Sequence, residues 1–190
     1  MPNLPTTIET RAQLPADTFR ISPLIWVTLW SLYLALIAPL PYLAWVTGAD
    51  LPLSWFVLGL MAGGIALQAA LSEQVRLDAE GIHVCYPRWV PSLFRQTWSL
   101  QWSMIQDIKA RATGQGGRVF YLINSTETAY LLPMRVAGFA RMTQRIEAET
   151  GLRMEHVKPL AQVWMYSILL FFTLLLGLAD VWVFWTAMNI

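Results

Sequence analysis

Charge is scarce in this chain. Only 13% of its 190 residues are Asp, Glu, Lys or Arg, about half the roughly 25% of a soluble domain. That excludes intrinsic disorder, which needs high charge and few apolar residues. The 13 Lys and Arg against 12 Asp and Glu leave no basic surplus for a nucleic-acid binder, so no nucleic acid is expected as a partner. A single cysteine, Cys85, excludes an intramolecular disulfide framework and multi-cysteine metal sites. There are two histidines, His83 and His156, and neither falls in an apolar run. No Walker loop, dinucleotide fingerprint or zinc spacing is present. What is abundant is apolar: 56% of residues, with ten tryptophans.

The apolar residues are concentrated in three runs. Leu24 to Val46 contains no charge over 23 residues, and a spanning helix needs about 20. Pro39 and Pro41 fall in its last third, where the helix must kink or end near Ala38 because proline has no backbone donor. Leu53 to Leu71 is a second uncharged run of 19 residues. Val163 to Trp185 is a third, with the single charge Asp180. The expectation is three transmembrane helices, the first two forming a tight antiparallel hairpin over residues 21–72 and the third lying within 161–190. Trp26, Trp30, Trp45, Trp55, Trp164, Trp182 and Trp185 lie in or beside the runs, several near their ends as an interfacial belt requires. Residues 1–20, with Pro2, Pro5 and Pro15, are expected to be a polar arm. The 47–52 link has no Lys or Arg, whereas Arg11 and Arg20 precede the first run and residues 73–160 carry eleven basic residues. The positive-inside rule then puts the N-terminus and residues 73–160 on the cytoplasmic side.

Residues 73–160 are long enough for one small domain, and their pattern is mostly strand. Val75–Leu77 leads through Asp78-Ala79-Glu80-Gly81 into Ile82–Tyr86, with Gly81 expected to supply a positive φ. Thr97–Leu100, Ile105–Ala110, Arg118–Ile123 and Ala129–Leu132 follow. Short strands at this spacing predict an antiparallel barrel or sandwich. Val136, Phe139, Ala140, Thr143 and Ile146 then form one helical stripe ended by Gly151. The fold class is therefore α+β: membrane helices with a β domain capped by one C-terminal helix.

The run of the glycine hairpin at 78–82, Trp102-Ser103-Met104-Ile105-Gln106-Asp107-Ile108, a tyrosine-bearing hairpin, Leu131-Leu132-Pro133 and an amphipathic helix ending in Thr150-Gly151-Leu152 resembles the bacterial pleckstrin-homology-like (PH-like) domains. Those domains commonly follow a transmembrane hairpin. A narrower similarity lies in residues 113–117, 130–141 and 157–162, which resemble small cyanobacterial membrane proteins associated with photosystem II assembly. That resemblance implies a thylakoid location. The partners it implies are a membrane protein complex, namely photosystem II reaction-centre subunits or other assembly factors, beside the lipid bilayer.

His83 and Cys85 share a strand face, but without further ligands at metal spacing they read as ordinary strand residues. Gly114–Gly117 has no following helix to supply a phosphate-binding dipole and reads as a loop. No cofactor and no enzymatic role is expected. The remaining candidates are contact sites. Arg88, Trp89, Val90, Leu93 and Phe94, framed by Pro87 and Pro91, combine aromatics with arginine as interface cores do. Gly59 and Gly63 form a G-x-x-x-G that admits close helix approach, toward the protein's own helices or a partner's. Asp180 is either at the far membrane interface or paired inside the bundle. The function these features imply is a non-enzymatic, membrane-anchored assembly or scaffold factor. A lipid- or peptide-binding regulatory module is the alternative.

Overall fold

A computed structural model describes residues 16–48, 52–91, 96–112, 118–154, 156–157 and 163–189. The chain divides into two compact units, one from residues 1–21 and 72–160 and one from 22–71 and 161–190. The fold is mixed α+β, with two antiparallel sheets in the first unit and apolar helices in the second.

The β unit begins earlier than expected. The end of the polar arm is a strand, β1 (Asp17–Arg20), and it pairs antiparallel with β2 (Gln74–Leu77). The sheet continues through β3 (Gly81–Cys85) to β4 (Trp98–Gln101) in the order β1-β2-β3-β4. A 3-10 turn at Trp102–Met104 leads to a second sheet, β5 (Ile105–Ala112), β6 (Arg118–Asn124) and β7 (Ala129–Leu131), paired in that order. Period-two alternation sets the faces. Val75 and Leu77 are buried while Arg76 is exposed, and Phe120 and Leu122 are buried on β6.

Phe19 is the only large apolar side chain of β1, and it is 2% exposed in the core with Val75, Leu77, Ile82 and Leu122. The strand is also tied to the chain beyond the sheets. The Ala137 N–H donates to the Arg20 carbonyl (2.8 Å). Asp17 lies 3.7 Å from both Arg141 and Arg145, and the Arg141 guanidinium stands over the Phe19 ring at 5.1 Å. These arginines belong to α4 below, so β1 is held by sheet and helix alike.

Gly81 is needed for a reason other than the expected one. It is absent from the positive-φ glycines. A Cβ there would collide with the Leu100 carbonyl oxygen and approach Gln101 Cα to 2.9 Å. The close β3–β4 pairing therefore demands glycine.

Helices are numbered α1 (Pro23–Ile37), α2 (Leu40–Val46), α3 (Leu53–Ala70), α4 (Phe139–Thr150) and α5 (Val163–Met188). In the β unit, α4 starts after Gly138 and stops at Gly151, both left-handed at φ 74° and 72°. Phe139, Met142, Thr143 and Ile146 are its buried face. Met142 takes the place expected for Ala140, which is exposed.

In the helical unit, of the two expected outcomes at Pro39 and Pro41 the structure has the kink: Ala38 and Pro39 keep right-handed helical angles and the chain continues as α2. Pro23–Val46 and Val163–Met188 are long and apolar enough to cross a membrane, whereas α3 is a shorter apolar helix. Three spans are thus not shown by length and composition alone.

Candidate functional site

The candidate contact loop splits into two kinds of residue. Arg88 and Trp89 are exposed or half-exposed, Trp89 by 49%, whereas Val90 is buried at 8%. The Val90 N–H donates to the Pro87 carbonyl (3.0 Å), so the turn points valine inward and leaves its neighbours outward. Leu93 and Phe94 lie outside the described residues, as does the Gly114–Gly117 loop.

The two glycines of the G-x-x-x-G also differ. A Cβ on Gly63 would stand 2.7 Å from the Tyr33 hydroxyl, and one on Gly64 3.4 Å from the Trp30 ring. A Cβ on Gly59 would meet nothing within 4 Å. Gly63 therefore serves packing inside the unit, and Gly59 lies on an open face of α3. The seat made by Gly63 and Gly64 is reinforced by polar bonds. The Tyr33 hydroxyl donates to the Leu60 carbonyl (2.6 Å). The indole N–H groups of Trp26 and Trp30 both donate to Gln68 Oε1 (3.3 and 3.2 Å). Trp26 and Trp30 pack tilted at 5.9 Å, and Trp30 and Tyr33 meet edge to face at 5.7 Å, along α1. Pairing 26 with 68 and 33 with 60 makes α1 and α3 antiparallel, a hairpin clamped by side-chain bonds in an apolar setting. Sequence reading missed this clamp, although Gln68 is the one amide in its run.

Gly63→Leu is expected to force the Tyr33 ring out of its seat and to cost about 1–3 kcal/mol of overpacking. Gly59→Leu, which meets open space, should leave the melting temperature near that of the parent. Thermal unfolding of both variants in the same detergent checks the contrast. Equal effects would contradict the division of the motif.

Asp180 is half-buried on α5, and its Oδ2 is fully buried without a hydrogen-bond partner among the described residues. Among the described residues no ion pair engages it. The candidates are not one constellation: the Arg88–Val90 turn belongs to the β unit, and Gly59, Gly63 and Asp180 belong to the helical unit on separate helices.

His83 and Cys85 behave differently from one another. Cys85 is exposed, while His83 Nε2 lies 3.1 Å from Asp78 Oδ2. Asp78 organises the β2–β3 turn: its Oδ1 accepts the N–H groups of Glu80 (3.0 Å) and Gly81 (3.1 Å), and its carbonyl accepts the Trp102 indole (3.0 Å). Burial pushes the Asp78 carboxyl up, but those backbone donors and the His83 imidazole outweigh it and hold the carboxyl below its ordinary 3.8. A depressed carboxylate stabilises the fold above its unfolded value and loses that contribution as pH falls through the lowered one. Asp78→Asn should therefore melt below the parent near neutral pH, and the gap should close as pH drops below about 4. A gap constant with pH would contradict this role. Among the described residues, no group of three His, Cys, Asp or Glu is placed to hold a metal ion.

The β unit also carries an open polar cleft of about 430 Å³ between the β2–β3 turn, the 3-10 turn and the end of α4, with Glu80 and Glu149 in its lining. Glu149 lies 3.2 Å from Arg145, so this carboxylate is engaged within the domain.

No family model and no solved structure matches the chain. Among curated proteins it is similar to "Uncharacterized protein slr0269" of the cyanobacterium Synechocystis, at 52% identity over 176 residues, covering 90% of this chain and 88% of that one. An apolar run and a β domain could each recur by chance, but identity at this level across both units could not, and the chain belongs to the family of that cyanobacterial protein.

Proposed function

We propose that the chain is a three-span membrane protein that acts as a non-enzymatic assembly or scaffold factor, binding an intermediate of a larger membrane complex. Two helices of spanning length and a cyanobacterial relative fit membrane association. The observation that carries the three-span reading is the pairing of β1 with β2 across residues 22–71. Two hydrogen-bonded strands lie on one side of a membrane. If α1–α2 crosses, the chain must cross back before β2, and only α3 is available to do so. Its 18 residues make about 27 Å at 1.5 Å per residue, close to the ~30 Å hydrocarbon core, and local thinning of the bilayer accommodates that difference. The antiparallel clamp between α1 and α3 supports the same reading.

The scaffold role rests on the form of the β unit and on what it leaves exposed. Four strands, then three, then a capping helix follow the strands-then-helix order on which the PH-like resemblance rests. The exposed Arg88–Trp89 pair and the open Gly59 face of α3 are its contact surfaces for a partner. By the resemblance to assembly proteins, that partner is a photosystem II reaction-centre intermediate in the thylakoid. On this reading the N-terminus and β unit face the cytoplasm, the side that the positive-inside rule favours when the 47–52 link carries no Lys or Arg.

A second reading has its own support. Lys109 and Arg111 are exposed on β5, with Arg111 5.7 Å over the Tyr121 ring, an arrangement suited to anionic headgroups. Capture of a tagged copy from cyanobacterial membranes in gentle detergent, read by mass spectrometry, separates the two. Reaction-centre subunits enriched over an untagged control support the scaffold reading. Their absence, with binding of the purified chain to anionic nanodiscs lost in Lys109→Glu/Arg111→Glu, favours the lipid module.

A further inference from the structure

The first sheet carries a basic cluster close to where the chain passes into the helices. Period-two alternation turns Phe19 inward and Arg20 outward on β1, and Val75 inward with Gln74 and Arg76 outward on β2. The register pairs Arg20 with Gln74, so Arg76 is a diagonal neighbour of Arg20 on the same face. On its other side β1 meets the segment before α4. Ile21 bridges Val136 antiparallel, and the Ala137 N–H donates to the Arg20 carbonyl (2.8 Å). Arg135, Val136 and Ala137 are exposed, buried and exposed in turn. The small Ala137 is thus opposite Arg20, and Arg135 is its second diagonal neighbour.

Two exposed arginines therefore flank a third, each at the ~7–8 Å spacing of diagonal cross-strand pairs. Among the described residues no ion pair engages any of the three, in contrast to Arg141 and Arg145, which both lie against Asp17. Glu73, the acid beside Gln74, already has an interaction of its own. Like charges held this close repel unless an anion lies among them.

Position selects the anion. Arg20 precedes the start of α1 by three residues, and Gln74 follows the end of α3 by four. At no more than ~3.6 Å per residue, Arg20 lies within about 11 Å of α1, and its long side chain narrows that gap. The headgroup layer is about 5–7 Å deep on each side of the hydrocarbon, and anionic lipids give it a negative potential that draws basic residues beside a span.

We infer that Arg20, Arg76 and Arg135 bind the phosphate of an anionic membrane lipid. Guanidinium forks match phosphate oxygens, and the Gln74 amide supplies a neutral donor next to them. The inference rests on the reading of α1 and α3 as spans. It does not involve Lys109 and Arg111 of β5.

The full chain in a mild nonionic detergent is melted with phosphatidylglycerol or phosphatidylcholine added to the micelles. Phosphatidylglycerol should raise Tm saturably over phosphatidylcholine, by about 5–10 °C at a hundredfold excess over Kd, and the rise should shrink as salt is added. Arg20→Gln/Arg135→Gln should lose most of the rise, and Lys109→Gln/Arg111→Gln should keep it. A parent with the same Tm in both lipids overturns the inference, whether or not the variants fold. So does a rise that Arg20→Gln/Arg135→Gln keeps, or that the β5 variant loses equally. Inorganic phosphate alone reproducing the rise would make the ligand a soluble anion and overturn the lipid. Alkaline extraction of the membranes separates this inference from the reading beneath it. A chain washed off contradicts the spans and the lipid site together, whereas a chain retained but indifferent to phosphatidylglycerol contradicts the lipid site alone.

Discussion

Phe19→Ala is expected to destabilise the β unit by about 3–5 kcal/mol, the usual cost of emptying a buried aromatic site. Its ring is 2% exposed and packs with both sheets, and Arg141 stands over it. A Cβ on Gly138 would itself meet the Phe19 ring at 3.6 Å, so the α4 cap and β1 are fitted to one another. The loss exceeds what a four-residue edge strand retains by its backbone pairing, so β1 should detach. Urea unfolding of the full chain, followed by tryptophan fluorescence, measures the change. Limited proteolysis should then cut near Asp17–Arg20 in the variant and spare the parent. A loss below about 1 kcal/mol would mean that β1 is an accessory to the domain rather than part of its core.

Trp89→Ala should have its effect on binding instead. Truncating an aromatic anchor in a desolvated interface costs on the order of 2 kcal/mol or more, about thirtyfold in Kd at ~1.4 kcal/mol per decade. The parent ring is 49% exposed, so the domain's own melting temperature should stay within about a degree of the parent's, as surface substitutions away from special features do. Val90→Ala is the internal contrast. That side chain is buried, so its truncation should lower stability and leave affinity per folded molecule unchanged. Quantitative capture of the partner complex, with unfolding of the same preparations, separates the effects. If Trp89→Ala instead lowers stability and spares capture, the turn belongs to the domain and not to an interface.

The strands from β2 to β7 were legible because short β-prone segments, alternating in β2 and β3 and continuously apolar over Val119–Ile123 in β6, lie between turn signals, and Gly151 marked the end of α4. β1 was not legible. Asp17-Thr18-Phe19-Arg20 has a single large apolar residue, and its partner strand lies more than fifty residues away beyond the helices of residues 22–71, a pairing no local pattern encodes. Gly81 was recognised as necessary for the wrong reason, because a sequence window cannot distinguish a positive φ from the approach of a neighbouring backbone. The G-x-x-x-G was visible as a close-approach signal, but which glycine faces inward depends on where Tyr33 lies. The Arg88–Trp89–Val90 turn was visible in composition, and only the structure separates the buried valine from its exposed neighbours. Asp180 stood out as a charge in an apolar run. That its Oδ2 is buried without a hydrogen-bond partner among the described residues is a matter of helix packing, which no local pattern shows.

The central claim is that residues 22–71 form a membrane hairpin inserted between two paired strands of one domain. Side-specific cysteine labelling tests it most directly. Single cysteines at Thr18, Thr47 and Ser125, all exposed, are placed in a Cys85→Ser background, since Cys85 is itself exposed. Sealed vesicles of each orientation are then treated with a membrane-impermeant maleimide. Cysteines at 18 and 125 should be labelled together from the cytoplasmic side and the cysteine at 47 only from the opposite side. Labelling of 47 from the same side as 125 would contradict the inserted hairpin, and labelling of 18 opposite to 125 would contradict the β1–β2 sheet on which the topology rests.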